Sequence, residues 1–215
     1  MSGTYDRTAR DVFEAWGKDH HADGMEAEHW PRVRQAFDLI ESCDGDYLEV
    51  GVGNGYGLEY MATHQFKNGR CLGMDLSLSM VERTRERTSA LGNVDVEQGD
   101  FLARDFGDRR FDTIFSMEVF YYFSDINTGI EKAWSILKPG GRLWVAVNFY
   151  EEHEQSADWP DRLNTPMQRW SMRDYVDGFE CAGFTNVEQR TIAAPTPQGS
   201  PHGDAPTLLT WGQKP

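Results

Sequence analysis

Residues 47–57, YLEVGVGNGYG, decide how the rest of the chain is read. Tyr47, Leu48 and Val50 make a short apolar run of the kind that forms a buried strand, and Gly51, Gly53, Gly55 and Gly57 follow at alternate positions. Glycine admits positive φ and lets a backbone approach a ligand closely, and residues 58–63 can open a helix whose free amides face the loop. The unit is a strand feeding a nucleotide-sized cradle.

Two chemistries use such a cradle. A dinucleotide fingerprint, G-x-G-x-x-G, needs Gly or Ala in its last place so that helix and strand can pack closely. Counted from Gly51 that place is Tyr56, and the match fails. Glu49, two residues before the first glycine, puts a carboxylate at the strand tip, which suits a ligand's ammonium better than a pyrophosphate. An acid followed by G-x-G-x-G resembles the first motif of the class I S-adenosylmethionine-dependent methyltransferases. The resemblance implies cofactor-binding roles for Glu49, Gly51, Gly53, Asn54 and Gly55, with S-adenosylmethionine as the cofactor.

Further motifs follow in order toward the C-terminus. Residues 70–75, RCLGMD, read as a second strand ending in an acid, and 77–88 as a helix that Ser77 or Ser79 can cap. An acid about 20 residues beyond a glycine loop hydrogen-bonds ribose hydroxyls, which gives Asp75, with Leu76 beside it, that place. Residues 93–98 read as a third strand closed by Gly99, Asp100 and Phe101. The resemblance implies that Asp100 accepts the adenine amine and that Phe101 stacks on the base. A fourth strand, 111–117, ends at Met117, also a cofactor-site candidate, and is followed by Glu118, Val119, Phe120, Tyr121, Tyr122 and Phe123. In the resembling family this place opens onto the transferred methyl and the acceptor.

Members that act on catechol-like quinone precursors carry E-V-x-E-H here, able to hold a divalent metal. In this chain Tyr121 and Tyr122 replace the Glu and His, and phenols are poor ligands for hard cations, so no metal is expected. The D/N-P-P-Y signature of nucleic-acid amino methyltransferases is missing too, which points to a small-molecule acceptor. A helix over 130–137 and LKPGGRLWVAVNF, residues 137–149, resemble the family's fifth motif. Candidate general bases are Glu118, Tyr121, Tyr122 and His153.

The implied fold is α/β: a doubly wound, mostly parallel seven-stranded sheet with one antiparallel strand, helices on both faces and an N-terminal helical cap. One methyltransferase domain is expected over 1–215, with the cap at 1–45, the cofactor-binding core at 46–148, a substrate-cover insertion at 149–170, and a last helix and strands at 171–215. Ala9, Val12, Phe13 and Trp16 keep helical spacing within residues 4–16. Residues 17–31 hold His20, His21, Met25, His29 and Trp30 with poor periodicity and end at Pro31, after which a helix is expected over 32–41. Adjacent histidines point in different directions, and no paired spacing completes a metal site. Residues 150–169 are equally irregular, and both segments are expected over the ligand end of the sheet. Ser171 and Asp174 read as a capping pair for a helix ended by Gly183, and 186–192 and 207–211 as closing strands joined across Pro195, Pro197, Pro201 and Pro206.

Composition agrees with this reading. At 215 residues and 39% hydrophobic, with seven Trp and twelve Phe, the chain can bury one sizeable core. Acidic residues exceed basic ones by 35 to 21, a net charge of -14 that repels phosphate backbones and anionic membranes, so neither nucleic acid nor a membrane is an expected partner. The scarcity of Lys beside Arg and Asp fits a salt-adapted organism. Three scattered cysteines suggest reduced packing residues, and without a signal-peptide pattern a cytoplasmic location is expected. A protein that binds the donor or its product without turnover, and a methyltransferase with a macromolecular acceptor, share these motifs. Oligomeric state and the atom methylated are not legible.

Overall fold

The computed structural model describes residues 5–19, 21–193 and 206–215. Among them one seven-stranded sheet runs in the order β3-β2-β1-β4-β5-β7-β6. Its strands are β1 (Asp46–Val50), β2 (Arg70–Asp75), β3 (Val94–Gln98), β4 (Phe111–Met117), β5 (Leu137–Val147), β6 (Thr185–Ile192) and β7 (Thr207–Gln213). β7 pairs antiparallel with β5 and β6, and the other neighbours are parallel. The expected reversed strand therefore lies one place in from the edge.

The central strands are continuous apolar runs because helices cover both faces, as parallel sheets require. Leu48, Val50, Leu72 and Ile114 pack with Ile130 of α5 (Ile126–Ile136) and Phe179 of α7 (Met172–Cys181). Tyr47, Cys71, Phe115 and Trp144 pack with Phe37 of α2 (His21–Phe37) and Leu58 of α3 (Tyr56–Thr63). The capping box of Ser171 and Asp174 opens α7, and Gly183 follows that helix at φ +95°. Ser77 caps α4 (Leu78–Arg87) by accepting from Met80 N–H.

Two stretches differ from the sequence expectation. Residues 21–31 belong to α2, which continues through Pro31. Propensity disfavours an internal proline, but burial of Val33, Ala36 and Phe37 and the seating of Trp30 edge-on to Tyr56 and Tyr60 hold the helix together. α5 starts at Ile126 rather than 130, because Asp125 caps it by accepting from Asn127 N–H. His20 and the connection carrying Pro195, Pro197 and Pro201 lie outside the described residues. No helix of the described residues is long and apolar enough to cross a membrane.

The cap and the insertion meet above the carboxyl ends of the strands. α1 (Ala9–Gly17) opens on a capping box of Thr8 and Asp11 and lies against α4. Glu14 Oε2 accepts from Ser77 O–H at 2.9 Å and Ser79 N–H at 3.2 Å, and Arg83 Nε donates to Gly17 O at 2.6 Å. Gly17 is required by closeness, since a Cβ there would lie 2.2 Å from Ser79 Oγ. Before α1, Arg7 N–H donates to Asn164 O at 3.1 Å and Asp6 N–H to Asn164 Oδ1 at 3.2 Å, just beyond α6 (Trp159–Leu163). The insertion is in turn tied to the turn after β4 by Gln168 N–H on Tyr121 O at 2.7 Å. α1 thus bridges from the insertion to α4 across the end of the sheet.

Glu14 is the fastening of that bridge. Burial works against its ionisation but is outweighed by bonds from Ser79 N–H, Lys18 and Ser77 O–H, which hold its carboxyl at about 2, below the ordinary range. Its contribution is therefore complete above the usual carboxylate pKa and is lost as pH falls toward 2. In Glu14→Ala, hydrogen exchange over residues 9–17 at neutral pH should quicken by roughly 10–100-fold, the worth of one or two charge-assisted bonds, while β1 and β4 stay protected. Unchanged exchange in α1 would show that apolar packing alone holds it.

Candidate active site

The glycine loop leaves β1 at the point where neighbouring connections part, β2 to one side and β4 to the other, which is where open α/β sheets hold ligands. Gly51, Gly53 and Gly55 have φ of 75°, 55° and 85°, conformations that L side chains rarely adopt. A Cβ on Gly51 would lie 2.1 Å from Val119 Cγ2, whereas one on Gly53 would meet nothing within 4 Å because Gly53 faces open space. Thr84 O–H of α4 donates to Gly53 O at 2.7 Å and pins the loop from behind.

That space is a cavity of about 260 Å³. Glu49, Gly51, Gly53, Asn54, Asp75, Leu76, Gly99, Asp100, Phe101 and Met117 all line it, and Gly55 alone of the expected cofactor residues does not. Gly55 serves as the N-cap of α3 and packs on Thr84. Asp75 steadies the loop as well as facing the cavity: Oδ2 accepts from Gly53 N–H at 3.0 Å and Oδ1 from Ser77 N–H at 2.9 Å. Each oxygen keeps lone-pair capacity for a ligand hydroxyl. Asp100 Oδ1 accepts from Leu102 N–H at 2.8 Å, and the Phe101 ring stacks toward Phe123 at 6.1 Å.

A second cavity of about 250 Å³ adjoins the first and shares Phe13, Met25, His29, Glu118 and Tyr122 with it. Trp16 of α1, Tyr121, and Trp159, Arg162 and Leu163 of α6 complete its wall. Both irregular segments therefore contribute: Met25 and His29 from one, α6 from the other. Trp30 faces Tyr56 and Tyr60 instead. His153 lines neither cavity; it is buried behind Trp159, rings 5.9 Å apart and edge-on, with Nδ1 against Asn148 O.

Glu118 stands at the seam. Its φ of 60° is the left-handed region, which costs a residue with a Cβ about 1–3 kcal/mol and clusters at functional sites. The carboxylate is buried, accepting from Asn148 N–H on Oε1 and from Tyr121 O–H on Oε2 at 2.9 Å. Burial and the nearby Glu118 charge raise both the Tyr121 and Tyr122 phenols far above their ordinary value, so they stay protonated and act as donors rather than bases.

Among the described residues the ionisable side chains that line the first cavity are, His29 aside, acids. Glu49, Asp75, Asp100 and Glu118 line it, and among the described residues no Lys or Arg does. Burial pushes Glu49 up to about 8 against the hydrogen bond from Tyr47 O–H at 2.9 Å, and pushes Asp75 up to about 6 against bonds from Ser77, Gly53 and Leu76 N–H. A pyrophosphate would be repelled here, while a ligand carrying sulfonium and ammonium charges and a ribose fits. Sequence reading missed Phe13 and Trp16, which looked like the apolar stripe of a surface helix. It also missed Glu26 of α2, which accepts from Asn54 Nδ2 at 2.9 Å and Arg87 Nη2 at 2.7 Å.

Comparison with known proteins agrees with the geometry. A family model described as a methyltransferase domain matches residues 48–145. One chain of the solved complex between the Haloferax volcanii Trm112 methyltransferase activator and a methyltransferase superposes with a TM-score of 0.87 at 32% identity, covering 97% of this chain and 99% of that one. A 37.1 kDa protein encoded in transposon TN4556 of Streptomyces fradiae is 32% identical over 126 residues, 58% of this chain and 36% of that protein. Phosphoethanolamine N-methyltransferase of Plasmodium falciparum is 24% identical over 153 residues, 68% of this chain and 56% of that protein. The chain thus spans between about a third and just over half the length of these two relatives.

Because Glu49 is protonated in the free protein up to about pH 8, pairing it with a ligand ammonium requires release of a proton. Affinity for S-adenosylhomocysteine should therefore rise with pH from 6 to 8, by up to about tenfold per unit, and Glu49→Gln should flatten the profile. Calorimetry in two buffers of different ionisation enthalpy counts the proton directly. Equal affinity across this range in the unaltered protein would place the ammonium elsewhere.

Proposed function

This chain belongs to the class I S-adenosylmethionine-dependent methyltransferases, and we propose that it acts in the cytoplasm on a small molecule held in the aromatic chamber, without a divalent metal. The observation that carries the reading is the second cavity: it opens on the cofactor cavity through Glu118 and Tyr122 and is walled by α1, α2 and α6. S-adenosylmethionine supplies an electrophilic methyl, so the protein's task is to align the acceptor and exclude water. Glu49 is assigned to the ammonium, Asp75 to the ribose hydroxyls, Asp100 to the adenine amine, and Phe101 with Leu102 to the base. Glu118 is the group suited to take a proton from the acceptor, with Tyr121 O–H holding its carboxylate in place. His153, fixed on Asn148 O, is assigned a positioning role behind Trp159.

Among the described residues no group of three His, Cys, Asp or Glu side chains is arranged to hold a metal ion. A second reading rests on the Haloferax volcanii complex: likeness over nearly the whole of both chains supports a partner of the Trm112 activator kind for this chain too. The decisive experiment is a screen of candidate acceptors with isotopically labelled methyl donor, read by mass spectrometry, with and without such an activator. A labelled small-molecule product, formed equally after chelator treatment, is expected. Label found only in protein or RNA would overturn the acceptor reading, and loss of turnover on chelation, restored by magnesium, would overturn metal independence.

A further inference from the structure

We propose that the acceptor presents an amine, bound as its ammonium against Glu118 and the rings of the second cavity. The inference rests on the small-molecule reading and deepens it. Among the described residues Glu118 is the single acid in the wall of that cavity, and its backbone is in the left-handed region, with the carboxylate at the seam. Asn148 N–H and Tyr121 O–H keep it oriented there. A buried carboxylate gains most from an opposite charge that arrives with the ligand, because both are then shielded from water.

The rings add to the preference. Phe13 stands edge-on to Trp16 at 5.4 Å and 82° and to Tyr122 at 5.3 Å and 88°, and all three rings line the cavity with Glu118. Aromatic faces attract a desolvated cation through the ring quadrupole and give no such gain to a neutral hydroxyl. Among the described residues the one Arg or Lys in the wall, Arg162, is half-exposed and lies 3.8 Å from Asp158, which draws its charge away from the seam. A carboxylate acceptor would meet Glu118 as a like charge.

The same placement serves the reaction. Glu118 takes one proton from the ammonium, leaving a lone pair on nitrogen. That pair forms the new N–C bond as the methyl's C–S bond breaks, with the C–S electron pair staying on sulfur. The proton on Glu118 passes to water when the products leave.

The test compares three probes of one shape, benzylammonium, benzyl alcohol and benzoate, titrated into the protein saturated with S-adenosylhomocysteine and followed by calorimetry and tryptophan fluorescence. Benzylammonium should bind at least about tenfold more tightly than the alcohol, with benzoate weakest. Glu118→Gln should shrink the ammonium-to-alcohol ratio to about threefold or less, and Trp16→Leu should weaken the ammonium more than the alcohol. Should Glu118→Gln fail to fold, the ratio in the unaltered protein and in Trp16→Leu decides. Alcohol or benzoate binding as tightly as the ammonium overturns the proposal, as does a labelled product methylated on oxygen, carbon or sulfur from a panel that contains amines. Those outcomes leave the small-molecule reading standing, whereas label confined to macromolecules removes both.

Discussion

The structure depends on the burial of carboxylates at the carboxyl ends of three adjacent strands. Glu49 on β1, Asp75 on β2 and Glu118 just past β4 are each less than a tenth exposed. Isolated charges in such places are costly, and the chain meets the cost with directed donors: Tyr47 O–H for Glu49, Gly53 and Ser77 N–H for Asp75, Asn148 N–H and Tyr121 O–H for Glu118. None of these named donors is a cation: they orient the acids, and burial keeps Glu49 protonated up to about pH 8. The wall of the first cavity thereby favours a positively charged ligand over a phosphate beside the glycine loop.

The fold supplies the convergence. Parallel strands present all three acids at one end of the sheet, and the parting of connections beside β1 leaves a crevice there. The crevice is closed by elements that lie outside the sheet. α1 is fastened to α4 through Glu14 and Arg83 and to the insertion through Asn164, and it carries Phe13 and Trp16 over the opening. Energy held in local bonds between cap and core thus shapes a chamber whose ring-lined wall belongs to neither alone. The positive φ of Glu118 is a local cost set against its bonds from Asn148 N–H and Tyr121 O–H.

Much of this was legible in sequence because the core motifs are local. A strand, a glycine loop and a helix start within residues 47–63, and the acid at Asp75 closes the next strand at the spacing a ribose asks for. The burial of each central strand on both faces likewise appears as a continuous apolar run. The helix over 21–31 was not legible, since Pro31 and a weak periodicity argue against it and only packing on β1 and α3 side chains decides for it. The assignment of tyrosines at 121 and 122 as bases also reads differently in three dimensions, because burial beside Glu118 holds both phenols protonated.

By itself, then, the sequence determined the sheet, the donor class and the residues that line the first cavity, because each of these is encoded within one strand-loop-helix unit by alternation, glycine and a terminal acid. Only the tertiary structure decided which side chains wall the second cavity. Phe13, Trp16, Met25, His29 and Trp159 come from segments more than a hundred residues apart, and their meeting depends on how α1 is latched across the sheet end. No local pattern records such a contact, since an apolar stripe on a short helix looks the same whether it faces a core or a ligand. The physical reason is that burial is a property of the assembled surface, while motif spacing is a property of the chain.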